Sequence, residues 1–248
     1  MIDSKWWVTA GSFLASSDFE ASAKGSVGGE NQEFDFESSL GLDDSPDLFQ
    51  GERGWQFTDN WSLTAQYFRS TRSARRTLEE SIEWEGNTYE VGAFVEAETK
   101  FELTRFFFAR RFRDSGPHSF KVGLGFHWLS LRAEIAGQAT LDDQSTEFRR
   151  AASAAEVPIP NIGAWYRYSP SEKWIFNARI DWLSASVDNY SGDIWNASGG
   201  VSYEIFDHFS SGANYQIFRL SGDITEDNWR GEVSTTYSGP YLYLAGYW

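Results

Sequence analysis

The sequence contains no cysteine, so neither a disulfide framework nor a Cys-based metal or redox site can be built from it. Methionine is reduced to a single residue and histidine to three. No apolar run approaches the ~20 residues of a membrane-spanning helix, and mean hydropathy is −0.48. Positive charge is in deficit: 21 Lys and Arg against 36 Asp and Glu leave a formal charge of −15. Phosphate backbones require a basic surface, so this balance argues against nucleic acid as a partner. No EF-hand spacing, Gly-rich phosphate loop or His-based zinc motif occurs, so no metal and no cofactor is expected. Met1-Ile-Asp-Ser-Lys5 leads straight into Trp6-Trp7 without a secretory signal. An exported chain is therefore expected to stand here in mature form behind an added initiator Met.

Aromatic residues are plentiful: twelve Trp, eleven Tyr and twenty Phe in 248 residues. Their spacing is informative. In Lys173-Trp-Ile-Phe-Asn-Ala-Arg-Ile-Asp-Trp-Leu183, alternate positions hold Trp174, Phe176, Ala178, Ile180 and Trp182. The intervening positions include Asn177, Arg179 and Asp181. Strand side chains alternate faces with a period of two, so one face is apolar and bounded by Trp, and the other is polar. Eight residues at roughly 3.3 Å each span ~26 Å, or ~20 Å along a barrel axis after a tilt of about 40°. That is close to the ~25 Å apolar band of a membrane β-barrel, with an aromatic girdle at each edge. The lack of a long apolar helix is no objection, because alternating strands average to a polar composition.

The pattern recurs. Phe120, Val122, Leu124, Phe126 and Trp128 share a face opposite Lys121 and His127. Trp195, Ala197, Val201, Tyr203 and Ile205 oppose Asn196 and Glu204, and Trp61, Leu63, Ala65 and Tyr67 oppose Ser62, Thr64 and Gln66. Short turns are expected at 58–60, 114–118, 170–173 and 206–208. Longer polar loops are expected at 26–45, with a hairpin around Phe34 and Phe36, and at 70–95, 139–147, 188–194 and 222–228. Glu85-Gly-Asn-Thr88 reads as a hairpin turn within the second of these. Trp6 to Gly25 reads as a weakly patterned first strand, and Pro158 and Pro160 mark an irregular approach to the strand at 163–168. The fold class is thus all-β, a single antiparallel up-and-down transmembrane barrel over residues 1–248. Ten strands are expected, with both termini on the short-turn side; twelve is the alternative if 32–41 or 79–92 also cross the membrane.

The C-terminal stretch Gly239-Pro-Tyr-Leu-Tyr-Leu-Ala-Gly-Tyr-Trp248 ends on an aromatic residue, with Leu244 and Leu242 at alternate positions before it. With this ending, the chain resembles Gram-negative outer-membrane β-barrel proteins, most closely the small proteobacterial ones. The resemblance implies location in the bacterial outer membrane, contact with outer-membrane lipid and lipopolysaccharide, and recognition of Trp248 by the barrel-assembly machinery. A monomer is expected. Trp61, Phe120, Trp128, Trp174, Trp182, Trp195 and Trp248 are expected in the lipid-facing girdles. Glu52, Arg105, Arg111, Lys121, His127, Arg167, Asn177, Arg179, Asp181, Asn196 and Glu204 are expected to face the lumen. Arg53 and Arg69 fall on the lipid face, where they either snorkel to an interface or report a bulge.

No catalytic constellation emerges. Outer-membrane lipases place a Ser two residues after their His; after His127 that position is Leu129, with Ser130 one further. Asp207-His208 resembles the Asp/His pairs of outer-membrane proteases but falls on the short-turn side. The inward charges read either as a salt-bridge network filling the lumen or as a constriction that selects solutes. Asp43, Asp44, Asp47, Glu79, Glu80, Asp142, Asp143, Asp223, Glu226 and Asp227 read as a solvated acidic surface, with bridging divalent cations as the alternative. Three functions follow in order of preference: a narrow channel or passive transporter for small solutes, a plugged structural or surface-interaction barrel, and a membrane-embedded hydrolase.

Overall fold

A computed structural model of the chain describes residues 4–14, 16–25, 48–79, 81–84, 87–141, 145–187, 190–226 and 229–248. The strands are β1 (Trp6–Phe13), β2 (Ser16–Gly25), β3 (Leu48–Gln56), β4 (Trp61–Thr77), β5 (Ile82–Trp84), β6 (Asn87–Tyr89) and β7 (Phe94–Ser115). They continue with β8 (His118–Leu141), β9 (Ser145–Tyr168), β10 (Trp174–Val187), β11 (Tyr190–Phe206), β12 (Phe209–Glu226) and β13 (Trp229–Tyr247). Pairing is antiparallel and runs β1-β3-β4-β7-β8-β9-β10-β11-β12-β13 and back to β1, a closed circuit. β1 and β2 are two lengths of one stave, since β13 pairs β1 through 241–247 and β2 through 229–238. The three-residue strands β5 and β6 form a hairpin attached to β8 where Thr88 meets Thr140. Ten staves therefore close the barrel.

The twelve-strand alternative is not realised, because 79–92 forms that small hairpin and the circuit closes without it. Residues 32–41, with the hairpin expected at Phe34 and Phe36, lie outside the described residues. So do Asp43, Asp44, Asp47, Glu80, Asp142, Asp143 and Asp227. Glu79 is exposed and bonded to Arg76 at 3.0 Å.

The expected long loops are a second correction. β4 runs on to Thr77, β7 begins at Phe94, and the 139–147, 188–194 and 222–228 segments are mostly strand. Polarity misleads here because only part of each stave lies in lipid. A strand of 24 residues, as β8 and β9 are, reaches ~80 Å at roughly 3.3 Å per residue, far more than a ~25 Å apolar band tilted by about 40° needs. Beyond that band the outward side chains meet water, and they are charged and paired. Arg69 meets Glu102 (3.7 Å), Arg75 meets Glu96 (2.9 Å), Lys100 meets Glu98 (2.7 Å), and Glu134 takes both Arg132 (3.3 Å) and Arg150 (3.1 Å).

Within the band the outward face is apolar. Phe106, Phe108, Phe120, Leu124, Phe126, Phe176, Ile180, Ile217, Leu242 and Leu244 are all exposed there. The inward face of the same strands does the reverse. On β4 it reads Ser62, Thr64, Gln66, then Phe68; on β7 it reads Arg111, Ala109, Phe107 and Arg105, then Leu103 and Phe101, all buried. β7 shows the exchange most fully, with Phe106 and Phe108 outside and Arg105 and Arg111 inside in the membrane, and Glu96, Glu98, Lys100 and Glu102 outside and Val95, Ala97, Phe101 and Leu103 inside beyond it. The inner apolar residues meet in one cluster of Phe13, Leu48, Phe68, Phe101, Leu103, Leu129, Ile194, Phe218, Leu220, Tyr237 and Tyr241.

Arg53 and Arg69 both remain outward in unbroken register. Arg53 lies over the Trp6 ring at 5.3 Å, and Arg69 pairs with Glu102 at the opposite edge of the band. Each sits at an interface, as snorkelling requires. Register shifts occur elsewhere, between Arg111 and Arg113 and between Glu204 and Phe206.

Candidate functional site

The polar interior is organised around β10, whose inward residues Asp181, Arg179 and Asn177 descend from the barrel's middle toward the short turns. Arg105 on β7 donates to Asp181 Oδ1 at 2.8 Å, and both side chains are 1% exposed. Arg179 donates to the other oxygen, Nε to Oδ2 at 2.7 Å, and its Nη1 donates to Gln66 Oε1 at 3.0 Å. The same Nη1 lies 3.7 Å from Glu52 Oε2 on β3. Two guanidinium and two carboxylate groups balance, which is how charges are tolerated away from water. Aromatic faces complete the enclosure: Arg105 lies 4.3 Å from the Phe107 ring and 5.1 Å from that of Trp165. Gly163 is required beside them, because a Cβ there would overlap Asp181 Oδ1.

Toward the short turns the interior opens into a cavity of about 140 Å³ lined by Glu52, Gln66, Arg167, Asn177, Arg179, Asn214 and Tyr243. Trp7 lies over Gly54, donates to Glu52 Oε1 at 2.9 Å, and has Lys121 and Arg167 over its ring at 5.3 and 5.7 Å. Lys121 and Arg111 both donate to Gln56 Oε1, at 3.2 and 2.6 Å. Asn177 donates to Asn214 at 3.1 Å. Glu204 stands at the mouth and accepts from the His208 N–H at 3.4 Å. Asn196 is buried opposite Asp181 on the neighbouring stave.

His127 is fully buried beside Arg105 in the register, and neither ring nitrogen has a partner among the described residues. Ser130 is on the opposite face of β8, so the two cannot act together. His208 is exposed in the turn on the side of the termini and has φ 67°. Sequence reasoning missed Trp7, Gln56, Trp165, Asn214, Tyr241 and Tyr243 as lumen residues. The signal was present for Trp165, which shares its face with Arg167; Trp7 gives none, because it stands between outward Trp6 and Val8 in a weakly patterned strand.

The girdle residues ring the outside. Trp128, Trp174, Trp182 and Trp195 are 40–44% exposed, Phe120 is 38% and Trp248 is 59%. Trp61 is half-buried because it stacks on Phe108 at 4.7 Å and carries Arg110 over its ring at 5.6 Å. A closed barrel with an apolar belt bounded by tryptophan on both sides is soluble only in a bilayer.

No protein-family model matches the sequence, and no curated protein matches it. Solved structures do. The outer-membrane protease OmpT from Escherichia coli superposes with a TM-score of 0.59 at 8% identity, over 98% of this chain and 97% of that one. The translocator domain of autotransporter NalP from Neisseria meningitidis gives 0.45 at 11% identity, over 98% and 87%. The toluene transporter TodX from Pseudomonas putida gives 0.39 at 11%, over 98% and 89%. The likeness to OmpT, at this identity, concerns the fold.

This protein has the fold of an outer-membrane β-barrel.

In this barrel the short turns and both ends of the described chain share one side, which in barrels of this fold is usually the periplasmic one. The charged extensions of β4, β7, β8 and β9 stand on the opposite side, beyond the far girdle.

Proposed function

We propose that this outer-membrane barrel is a non-conducting scaffold that presents its charged walls at the cell surface. The reading rests on the way side chains from opposite staves meet in the lumen. Phe101 and Phe218 are five staves apart in either direction round the circuit, yet their rings lie 5.8 Å apart. Arg179 and Glu52, also five staves apart, approach to 3.7 Å in the layer below. A solute pathway needs continuous water, and two successive layers of side chains stand across it. The paired ladder from Arg69 to Arg150 sits at head-group height, where lipopolysaccharide and outer-membrane lipid would be its neighbours. Trp248, with outward Leu244 and Leu242, is the end the assembly machinery would read. The closed circuit needs no second copy, consistent with a monomer.

The polar cavity of about 140 Å³ on the periplasmic side favours a second reading, a narrow channel for small solutes. Planar-bilayer recording of the refolded protein separates the two. A silent bilayer with insertion confirmed is expected. Discrete, reproducible steps would replace the scaffold by the channel, and their ion selectivity would then report on Lys121, Arg167 and Arg179.

A further inference from the structure

Among the described residues the wall is unzipped between β9 and β10. β9 and β10 pair only from Tyr168 opposite Phe176 to Ile162 opposite Trp182. Above that point β9 stays paired with β8 as far as Ser145, and β10 stays paired with β11 as far as Val187, but not with each other. Continuing the register would set Pro160 against Ser184 and Pro158 against Ser186.

The prolines account for where the ladder ends. Ser169 N–H donates to Pro117 O on the β8 side at 2.8 Å. β9 runs in unshifted register from there, so odd-numbered N–H groups face β8 and even-numbered ones face β10. Pro158 and Pro160 therefore stand where donors to β10 are needed, and proline has none. Pro158 pairs with the girdle residue Trp128, so this length of edge lies at the outer rim of the apolar belt. An unpaired N–H is costly in lipid. On the β9 side the edge facing the seam carries no N–H until Glu156, above the girdle, whereas on the β10 side the N–H groups of Ser184 and Ser186 point into it.

Inside the seam lie Ile159 and Leu183, half-buried and packed against the lumenal apolar cluster. Below Ile159 and level with Leu183 is Asn161, 2% exposed, with neither Oδ1 nor Nδ2 partnered among the described residues, and beyond it the unpartnered ring of His127. The neighbouring Arg105, Arg179, Asp181 and Glu52 already balance, so nothing here calls for a charged group.

We propose that this seam is a lateral binding site for a hydrocarbon chain of an outer-leaflet amphiphile. The chain lies between Ile159 and Leu183 against the apolar cluster, and an uncharged ester or amide oxygen accepts from Asn161 Nδ2. The site opens sideways to the membrane, so it does not depend on whether the lumen conducts.

The test is photolabelling of the intact protein in phosphatidylcholine vesicles that contain phosphatidylcholine with a diazirine in mid-chain, with adducts mapped by mass spectrometry. Belt residues such as Ile180 and Phe126 serve as the internal standard. Adducts on the inward residues Ile159 and Leu183, and none on the inward residues Phe13 and Leu220, are expected. A second arm adds the diazirine-bearing methyl ester of decanoic acid to unlabelled vesicles; adducts from that arm alone assign the chain to a free single-chain amphiphile, and adducts from the first assign it to membrane lipid. The double variant Pro158→Val/Pro160→Val restores both donors and is expected to lose the Ile159 and Leu183 adducts while keeping those on the belt and heat-modifiable migration. Labelling confined to the belt in both arms overturns the proposal. So does a variant that labels like the parent, or protection of Ile159 and Leu183 in a dimer, which would give the free edge to a second copy.

Discussion

Phe101 on β7 and Phe218 on β12 stand on diametrically opposite staves, and their rings meet edge-to-face at 5.8 Å with 72° between planes. Phe68 and Tyr237 close the group, at 5.7 and 5.3 Å from Phe101. Edge-to-face contacts place the positive rim of one ring on the negative face of the next. The four rings brace the wall where it leaves the membrane. Phe101→Ala is expected to lower unfolding stability by about 3–5 kcal/mol, the range for a buried Phe truncated in a packed core. Urea titration of the refolded barrel measures it; a change below about 1 kcal/mol would mean that the cluster is loosely packed.

Asp181 holds two arginines, so its loss is the most damaging single change expected in the charged layer. Asp181→Asn should destabilise by roughly 3–5 kcal/mol because Arg105 is left buried without its carboxylate. Arg105→Met combined with Asp181→Asn should recover much of that loss, since Arg179 keeps Glu52 and Gln66. A double-mutant cycle read by denaturant unfolding gives the coupling; additive losses would show that the pair acts only as packing.

Gly163→Ala and Gly199→Ala form a matched pair. A Cβ at Gly163 overlaps Asp181 Oδ1, whereas at Gly199 the nearest atom is 3.8 Å away. The first variant should refold poorly and the second normally, as judged by heat-modifiable migration on detergent gels. Equal behaviour would place the Arg105–Asp181 pair elsewhere.

Depth in the bilayer should set the penalty for a charge on the lipid face. Ala178→Arg, midway between Trp174 and Trp182, is expected to cost ~2–4 kcal/mol, and Trp182→Arg at the girdle ~0–1 kcal/mol beyond the lost aromatic contact. Asn177→Asp, facing the lumen, should insert normally. The reverse order, measured by folding into lipid vesicles, would mean that the two faces have been interchanged.

Tyr89 ties the β5–β6 hairpin to the wall by donating to Ile135 O at 3.2 Å, and burial raises its phenol above the ordinary value. The neutral phenol is the form that fits, so this stabilisation is complete below a pH of about 10 and is lost as pH rises through the raised folded value. Proteolysis of the hairpin should therefore accelerate at strongly alkaline pH, and Tyr89→Phe should flatten that dependence. A Tyr89→Phe variant with the parent's pH profile would assign the effect to another group.

Much of the membrane-embedded barrel is legible along the chain, because a period of two is a local property. Trp174 to Trp182 and Phe120 to Trp128 declare which face meets lipid and how long the crossing is, and short turns such as Asp207-His208 declare connectivity. The parity of Arg105, Lys121, Arg179 and Asp181 puts them inside without any knowledge of their partners. The half beyond the far girdle reads less well. Arg75 falls in the expected 70–95 loop because its pairing partner Glu96 lies on the next long stave, and a charged outward face in water is as polar as a loop.

Only closure of the barrel decides which inward residues touch. Arg105 and Asp181 are 76 positions apart, and no spacing rule links them; a ring of ten tilted staves at one stagger brings them to one height. The same holds for Phe101 and Phe218, whose alternation shows an inward face but not an opposite partner. Pro158 and Pro160 show the division most plainly. Each removes a donor wherever it lies, which is a property of the residue. That the missing donors face β10, and so leave a seam at the rim of the membrane, follows from a register that only the assembled sheet establishes.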